Sequence, residues 1–373
     1  MRKTILTLLI FLFPLTCYAA AQTHYVTPAG AGTKAGGDWD NAMGLAEWDA
    51  DAEDSAEAGD FYYVAGGTYT LTENFDTARS GNSTLKIHVI GVKSGTTHEG
   101  AAIVASDYAY GDDRPLIAAT SWKFSWESQM TFKNLRITTT CPTGFETNSY
   151  IVLINCKSTQ TGANATDAAF TLQATIDMAN CEAISTNGRG ITISSSRMIS
   201  SCYILDSVVG IYGSVKTDLH IVNNIIDTCS TYGMDINTWT ASRFIGNTIY
   251  NCGVGIKAAA LQNNIFLNNI IDNCTTGFSA TAAYQSVIFD YNVWNNTTDI
   301  TNGTKGVHAI TADPGMTAPA DGDFTISGAS NCLNAALHLD TNVGLADDYT
   351  FNIGADQNDY DSGGSGGSYT FVQ

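Results

Sequence analysis

A nine-residue phrase is written three times in the middle of the chain, and each copy ends in cysteine. The copies are IVNNIIDTC from Ile221, FIGNTIYNC from Phe244 and FLNNIIDNC from Phe266. The fourth position of the phrase recurs every 21 to 25 residues, as Cys156, Cys181, Cys202, Asn224, Asn247, Asn269 and Asn292. A repeat of this length indicates a core that is built by stacking copies of one unit.

Further columns keep the same register. An apolar residue lies three positions before that column, as Leu153, Met178, Ile199, Ile221, Phe244, Phe266 and Phe289. A second apolar column follows it by two positions, and a turn glycine comes later, as Gly190, Gly210, Gly233, Gly255 and Gly277. Short apolar–polar alternation is typical of strands, and glycine supplies the backbone angles that turns need.

The repeat predicts an all-β, right-handed parallel β-helix with coils of about 22 residues. Parallel coils stack about 4.8 Å apart, so equivalent residues form ladders. A leucine-rich repeat has a similar period, but it requires a Leu-x-x-Leu-x-Leu frame that these coils lack. Only 14% of the residues are charged, which agrees with a β architecture whose polar positions are mostly Asn, Thr, Ser and Gly.

The two ends of the chain differ from the repeat. Residues 1–21 combine a basic start, a short apolar run and a small-residue cleavage site, which predicts a signal peptide and an exported protein. Residues 22–357 are predicted to form one β-helix domain with caps at both ends. A short helix after Asp40, carrying Leu45 and Trp48, would plug the N-terminal end of the core. Residues 358–373 are predicted to be a Gly/Ser-rich tail.

Four segments resemble exported proteins of the pectate-lyase-like superfamily. HYVTPAGAGTKAGGDWDNA from His24 resembles their opening, and GDFYYVAGGTY from Gly59 resembles their first strand pair. GDFTIS from Gly322 and NIGADQ from Asn352 resemble their ending. The resemblance implies a right-handed parallel β-helix and a polysaccharide partner. It leaves two alternatives, lyase or hydrolase chemistry and a non-catalytic adhesin or phage-fibre role, since the chain shows no copy of the catalytic constellations of the enzyme subfamilies.

The first candidate site is a polar column two positions after the turn glycine, formed by Thr192, Tyr212, Asp235, Lys257 and Ser279. Adjacent coils should place Asp235 between Tyr212 and Lys257. A β-elimination lyase needs a base, a cation for the uronate carboxylate and a platform for the sugar ring. We assign these roles to Lys257 or Tyr212, to Arg243 and to Trp239. The alternative interpretation is a cross-strand ion pair on a solvated face.

The second candidate site is the row Asp227, Tyr250 and Asp272, each three positions after the anchor column. Its two aspartates are expected two coils apart, about 9.6 Å by coil spacing. Inverting glycosidases hold their carboxyl groups roughly 6.5–9.5 Å apart. We therefore predict that Asp227 and Asp272 contact substrate, with an outward-turning polar position as the alternative.

The sequence predicts no metal or cofactor, apart from calcium that Asp356, Asp359 and Asp361 could hold. A net charge of −19 argues against a nucleic-acid partner, and no stretch after the signal peptide is long and apolar enough to insert into a membrane. In-register neighbours of a ladder have their Cβ atoms about 4.8 Å apart, which is wider than the roughly 3.5–4.5 Å that a disulfide prefers. We therefore predict two ladders of buried thiols, Cys156, Cys181, Cys202 and Cys229, Cys252, Cys274.

Overall fold

The computed structural model describes residues 21–335, except 77–78, 83, 128, 175–176, 196, 283–284, 328–329 and 333–334. Within this part the chain winds into a solenoid of three parallel sheets, and each strand pairs with its equivalent in the next coil. The predicted parallel β-helix is therefore confirmed. The predicted signal peptide, the Gly/Ser-rich tail and Asp356, Asp359 and Asp361 lie outside the described residues.

The strands of each sheet follow one another at one coil per strand. Sheet 1 has eleven strands: Thr23–Val26, Phe61–Ala65, Ile87–Val92, Met130–Lys133, Ile151–Ile154, Asp177–Ala179, Met198–Ser200, His220–Val222, Arg243–Ile245, Ile265–Leu267 and Ile288–Asp290. Sheet 2 has ten strands: Thr68–Thr70, Leu116–Ala119, Arg136–Thr139, Lys157–Gln160, Glu182–Ser185, Tyr203–Leu205, Ile225–Asp227, Thr248–Tyr250, Ile270–Asp272 and Val293–Asn295. Sheet 3 has ten strands: Phe75–Asp76, Phe124–Trp126, Thr143–Thr147, Ala168–Leu172, Arg189–Ile193, Val209–Thr217, Tyr232–Thr240, Val254–Gln262, Thr276–Ala280 and Thr298–Thr301.

The core is a set of ladders that the repeat columns predict. Each residue of the column from Leu153 to Phe289 is buried on the inner face of sheet 1. The rings of Phe244 and Phe266 stack with centroids 4.3 Å apart, and Phe266 and Phe289 stack at 4.7 Å. Equivalent side chains therefore pack on one another from coil to coil, which hides apolar area that no single coil could bury.

The repeated phrase builds the turn between sheets 1 and 2. Asn223 and Asn268 adopt left-handed φ angles of 54° and 57°, which asparagine tolerates better than most residues. The following Asn points inward, where the Asn224 backbone N–H donates to Asn247 Oδ1 at 3.0 Å. The Asn247 N–H donates to Asn269 Oδ1 at 2.9 Å. This asparagine ladder satisfies backbone groups that the turn would otherwise leave buried and unpaired.

The cysteines of both ladders are buried and free, as predicted. The pKa of Cys156 and of Cys181 is raised well above that of an exposed thiol, because burial disfavours the thiolate. These side chains act as small apolar residues of the core. Cys141 and Cys332 are also buried and free.

The N-terminal end of the core is closed by the helix Leu45–Asp54, as predicted. Trp48 of this helix is fully buried, and its ring lies 4.8 Å from that of Phe75 and 6.2 Å from that of Tyr69. Among the described residues no helix is long and apolar enough to span a membrane. The short 3₁₀ segments are Trp39–Asn41, Gly100–Ala102, Ala105–Asp107, Gly111–Asp113 and Pro319–Asp321.

The C-terminal part forms an antiparallel hairpin of the strands Met316–Ala318 and Asp323–Ile326. The hairpin lies along the outer face of sheet 2. Phe324 packs with Ile225 and Tyr250 there. Further along, Met316 and Ile326 pack against Ile270 and Val293, together with Cys332. The hairpin therefore covers that part of sheet 2.

Candidate functional site

The first predicted column, Thr192, Tyr212, Asp235, Lys257 and Ser279, lies on sheet 3 in five consecutive strands. Tyr212 pairs with Asp235, and Asp235 pairs with Lys257, as the repeat register predicts. The Lys257 ammonium is 3.3 Å from the Asp235 carboxylate. The side chains are 33% and 16% exposed, so a solute can reach this ion pair while part of it is shielded from water.

Two further residues complete the arrangement. The guanidinium of Arg189 lies 3.5 Å from the ring centroid of Tyr212, and the ammonium of Lys257 lies 4.5 Å from that of Tyr232. Both separations are within the range of a cation–π interaction. Arg189 and Tyr232 are not among the predicted site residues. Each directly precedes a turn glycine, and residues at this position of the repeat form a second column of outward side chains.

The site therefore consists of five residues on neighbouring strands: Arg189, Tyr212, Tyr232, Asp235 and Lys257, which we call the sheet 3 patch. The strands on which four of them lie are nine residues long, the longest among the described residues. Three coil spacings separate the rungs of Arg189 and Lys257, so the patch extends about 14 Å along the helix axis. Its rings and charges are held rigidly by the parallel ladder below them.

Trp239 does not belong to this patch. Its side chain is fully buried, its ring stacks on Phe244, and its Nε1–H donates to the Gly213 carbonyl at 2.9 Å. A Cβ at position 213 would lie 2.7 Å from the indole, so glycine makes room for the ring. Asn237 and Thr238 both face solvent, which shifts the alternation by one residue and turns Trp239 inward. The prediction of a sugar platform at Trp239 is wrong.

Arg243 also lies elsewhere. It begins a strand of sheet 1, between His220 and Ile265 of the neighbouring coils. A turn with Ala241 at a φ of 55° separates it from the sheet 3 strand that carries Asp235. Arg243 therefore faces a different side of the solenoid, and the prediction that it neutralises a carboxylate beside Lys257 is wrong. Arg189 is the cation that the structure places there.

The second predicted row is formed in register but is covered. Asp227 pairs with Tyr250, and Tyr250 pairs with Asp272, on the outer face of sheet 2. The C-terminal hairpin lies over this row, and the two aspartates are only 8% and 5% exposed. A sugar chain has no access to them in this arrangement. The prediction that Asp227 and Asp272 contact substrate is therefore wrong.

The covered carboxyl groups have perturbed acidity. Burial raises the pKa of Asp227, although Thr228 Oγ1 and the Tyr203 hydroxyl donate to it at 2.6 and 3.2 Å. Burial also raises the pKa of Asp272, which accepts from Asn295 Nδ2 at 2.7 Å. No cation of the described part lies within ion-pair distance of either group. Burial is therefore the main cause of the raised pKa of both carboxyl groups.

Comparison with solved structures finds the same kind of solenoid in a pectate lyase. The pectate lyase Pel9A is 13% identical, with a TM-score of 0.57 over 90% of this chain and 96% of that chain. The chain has the parallel β-helix fold of a pectate lyase. The GH136 lacto-N-biosidase from Eubacterium ramulus matches less well, at 10% identity and a TM-score of 0.43 over 73% of this chain and 56% of that chain.

A family described as periplasmic copper-binding proteins (NosD) matches residues 131–311 of the β-helix. No curated protein sequence matches significantly. The periplasmic description agrees with the predicted export. The described residues contain no group of three or more His, Cys, Asp or Glu side chains that could hold a metal ion, and burial raises the pKa of the ladder thiols Cys156 and Cys181.

Proposed function

We propose that this protein binds a polysaccharide along the outer face of sheet 3, at the sheet 3 patch. The observation that carries the proposal is the alternation of rings and charges on a solvent-facing ladder, with Arg189 on Tyr212 and Lys257 between Tyr232 and Asp235. Sugars present apolar C–H faces that pack on aromatic rings, and hydroxyl groups that pair with charged or polar side chains. A rigid ladder offers both kinds of contact at regular intervals.

One further fact supports a polysaccharide as the ligand. The fold is shared with a protein described as a pectate lyase.

The Asp235–Lys257 contact favours a second candidate function, a β-elimination lyase. In that reaction Lys257, as the free amine, would accept the proton beside the uronate carboxylate, a carbon–carbon double bond would form, and the glycosidic C–O bond would break, with the leaving oxygen taking a proton from water. Arg189 is the cation that would pair with the carboxylate. Binding is the better-supported function, because the Lys257 ammonium is already engaged by the Asp235 carboxylate and the Tyr232 ring.

Affinity electrophoresis of the mature protein through gels containing neutral or acidic polysaccharides tests the binding proposal. We expect retardation by at least one polysaccharide. Tyr212→Ala and Tyr232→Ala should each weaken binding about five-fold, which corresponds to about 1 kcal/mol of ring packing. Tyr110→Ala is the matched control, because Tyr110 is 53% exposed and lies outside the patch.

The same panel separates binding from turnover. A lyase releases unsaturated uronates that absorb ultraviolet light, whereas a hydrolase releases reducing ends without that absorbance. Lys257→Met should abolish lyase product if the second function holds, and it should weaken binding only to acidic polysaccharides if it does not. The binding proposal fails if no polysaccharide retards the protein, or if both tyrosine variants bind as the parent does.

A further inference from the structure

In the described part of the chain, other segments pack over some outward apolar faces of the solenoid, but not over the middle of sheet 1. At the N-terminal end of sheet 1, Tyr25, Tyr63 and Ile90 are covered by Trp39 and Tyr108 and their neighbours. The outer face of sheet 2 is covered by the C-terminal hairpin. The middle of sheet 1 differs, because its outward side chains belong to none of the apolar clusters that the described residues form.

This surface consists of two outward columns on six consecutive strands, which we call the sheet 1 face. One column is Val152, Asp177, Met198, His220, Arg243 and Ile265, and the other is Ile154, Ala179, Ser200, Val222, Ile245 and Leu267. Eight of these twelve residues are apolar; Leu267 is buried and the other seven are half-buried, so a flat, mostly aliphatic surface is partly accessible from outside. Contiguous apolar surfaces of this kind mark interaction sites in soluble proteins.

Two opposite charges lie symmetrically within the face. Asp177 is one coil before Met198, and Arg243 is one coil after His220. Three coil spacings, about 14 Å, separate them, so they do not pair within one chain. Neither residue has an ion-pair partner in the part of the chain that the structure describes.

A second copy fits this pattern. The two-fold axis of such a dimer would run parallel to the strands, between Met198–Ser200 and His220–Val222. Rotation about this axis reverses the order of the coils in the partner, so each column faces the same column of the other copy. Asp177 then faces the partner's Arg243, and the same ion pair forms a second time. Half-buried Val152 faces the partner's Ile265. The two outermost rungs on each side of the axis are therefore complementary in charge or in apolar character.

We propose that the sheet 1 face is the interface of a two-fold symmetric, coil-reversed homodimer. Six coils extend about 29 Å along the axis and the short strands about 10 Å across it, so the face offers roughly 300 Å² per copy, which is below the roughly 500 Å² per copy of a stable specific interface and typical of a weak, transient one. An interface of this size gives a reversible dimer. The sheet 3 patch lies on a different sheet and stays exposed in the dimer, so both copies can bind a ligand.

Sedimentation velocity of the mature protein from about 1 µM to about 200 µM tests the proposal. We expect the wild-type sedimentation coefficient to rise from monomer to dimer across this range. Arg243→Asp and Asp177→Arg each place like charges across the axis twice, and each should weaken association about ten-fold or more. The double variant Asp177→Arg/Arg243→Asp restores opposite charges in the dimer and should return to within about three-fold of wild type.

Glu73→Arg is the control, since Glu73 is exposed and precedes sheet 3, and it should associate as the wild type does. Circular dichroism of each variant separates loss of association from loss of folding. A wild-type protein that remains monomeric at the highest concentration overturns the proposal. So does a double variant that associates no better than either single variant, because a dimer in which Asp177 does not face the partner's Arg243 would not be rescued.

Discussion

At the scale of single residues, one position of the repeat explains why the phrase is conserved from coil to coil within this chain. Asn247 Nδ2 donates to the Ile221 carbonyl and to Asn269 Oδ1, both at 2.9 Å, while its Oδ1 accepts from the Asn224 backbone. One side chain thus serves backbone groups of the preceding coil and the amide of the next. Cys202 occupies the same column in an earlier coil, where its N–H donates to Asn224 Oδ1.

Replacing this asparagine tests the ladder. Asn247→Ala leaves the buried Asn224 N–H without a partner and takes one donor from the Ile221 carbonyl, and should lower the free energy of unfolding by roughly 2–5 kcal/mol. Asn247→Cys should cost less, because Cys181 Sγ in the same column accepts from the backbone N–H of Cys156. Urea unfolding measures both variants. Asn237→Ala, at an exposed position, is the control and should change stability by less than about 0.5 kcal/mol. Equal stability of Asn247→Ala and the control would contradict the role of the ladder.

At the scale of elements, the sequence predicts which residues pair on adjacent strands better than it predicts whether a side chain is accessible on the surface. Asp235 meets Lys257 because coils of equal length place equivalent positions on adjacent rungs. Trp239 was misplaced because two consecutive outward residues, Asn237 and Thr238, interrupt the alternation, and the repeat carries no signal for that bend. Asp227 was misplaced for another reason. The hairpin that covers it comes almost 90 residues later, so only the folded chain brings them together.

The covered row predicts a pH dependence of stability. Burial raises the folded-state pKa of Asp227 and Asp272, with Asp206 and Asp313 as further acidic neighbours. The folded protein therefore binds these protons more tightly than the unfolded chain does. The contribution of each group to stability falls as pH rises from the unfolded pKa, near 3.9, through the raised folded value.

Asp227→Asn and Asp272→Asn remove this penalty. Each variant should melt at a higher temperature than wild type at pH 7, and the difference should shrink as pH is lowered towards 4. Asp323→Asn is the opposite control, because hydrogen bonds from Thr325 lower the pKa of Asp323 and its ionised form favours folding. Differential scanning calorimetry at several pH values checks the sign. A gain at pH 7 that persists unchanged at pH 4 would point to a cause other than ionisation.

At the scale of the whole molecule, the solenoid resembles a one-dimensional stack whose coils contact mainly their neighbours. Such a stack must hide the apolar area and the unpaired strand edge at each end. The N-terminal end is closed by one helix, and the aromatic residues Tyr62, Tyr69, Phe75 and Phe124 surround Trp48 beneath it. The sequence indicates this plug clearly, since a helical segment interrupts an otherwise β pattern just before the first coils.

Removing the plug tests how far its effect extends. Trp48→Ala should cost roughly 3–5 kcal/mol, because it opens a large cavity against four aromatic rings. Since coils contact mainly their neighbours, we expect faster hydrogen exchange first in Phe61–Ala65 and Ile87–Val92, while Tyr232–Thr240 stays protected. Trp122→Ala, at a site that is 37% exposed, is the control and should cost less than about 1 kcal/mol. Hydrogen exchange that rises equally in all coils would show that the solenoid unfolds as one cooperative unit rather than from its unplugged end.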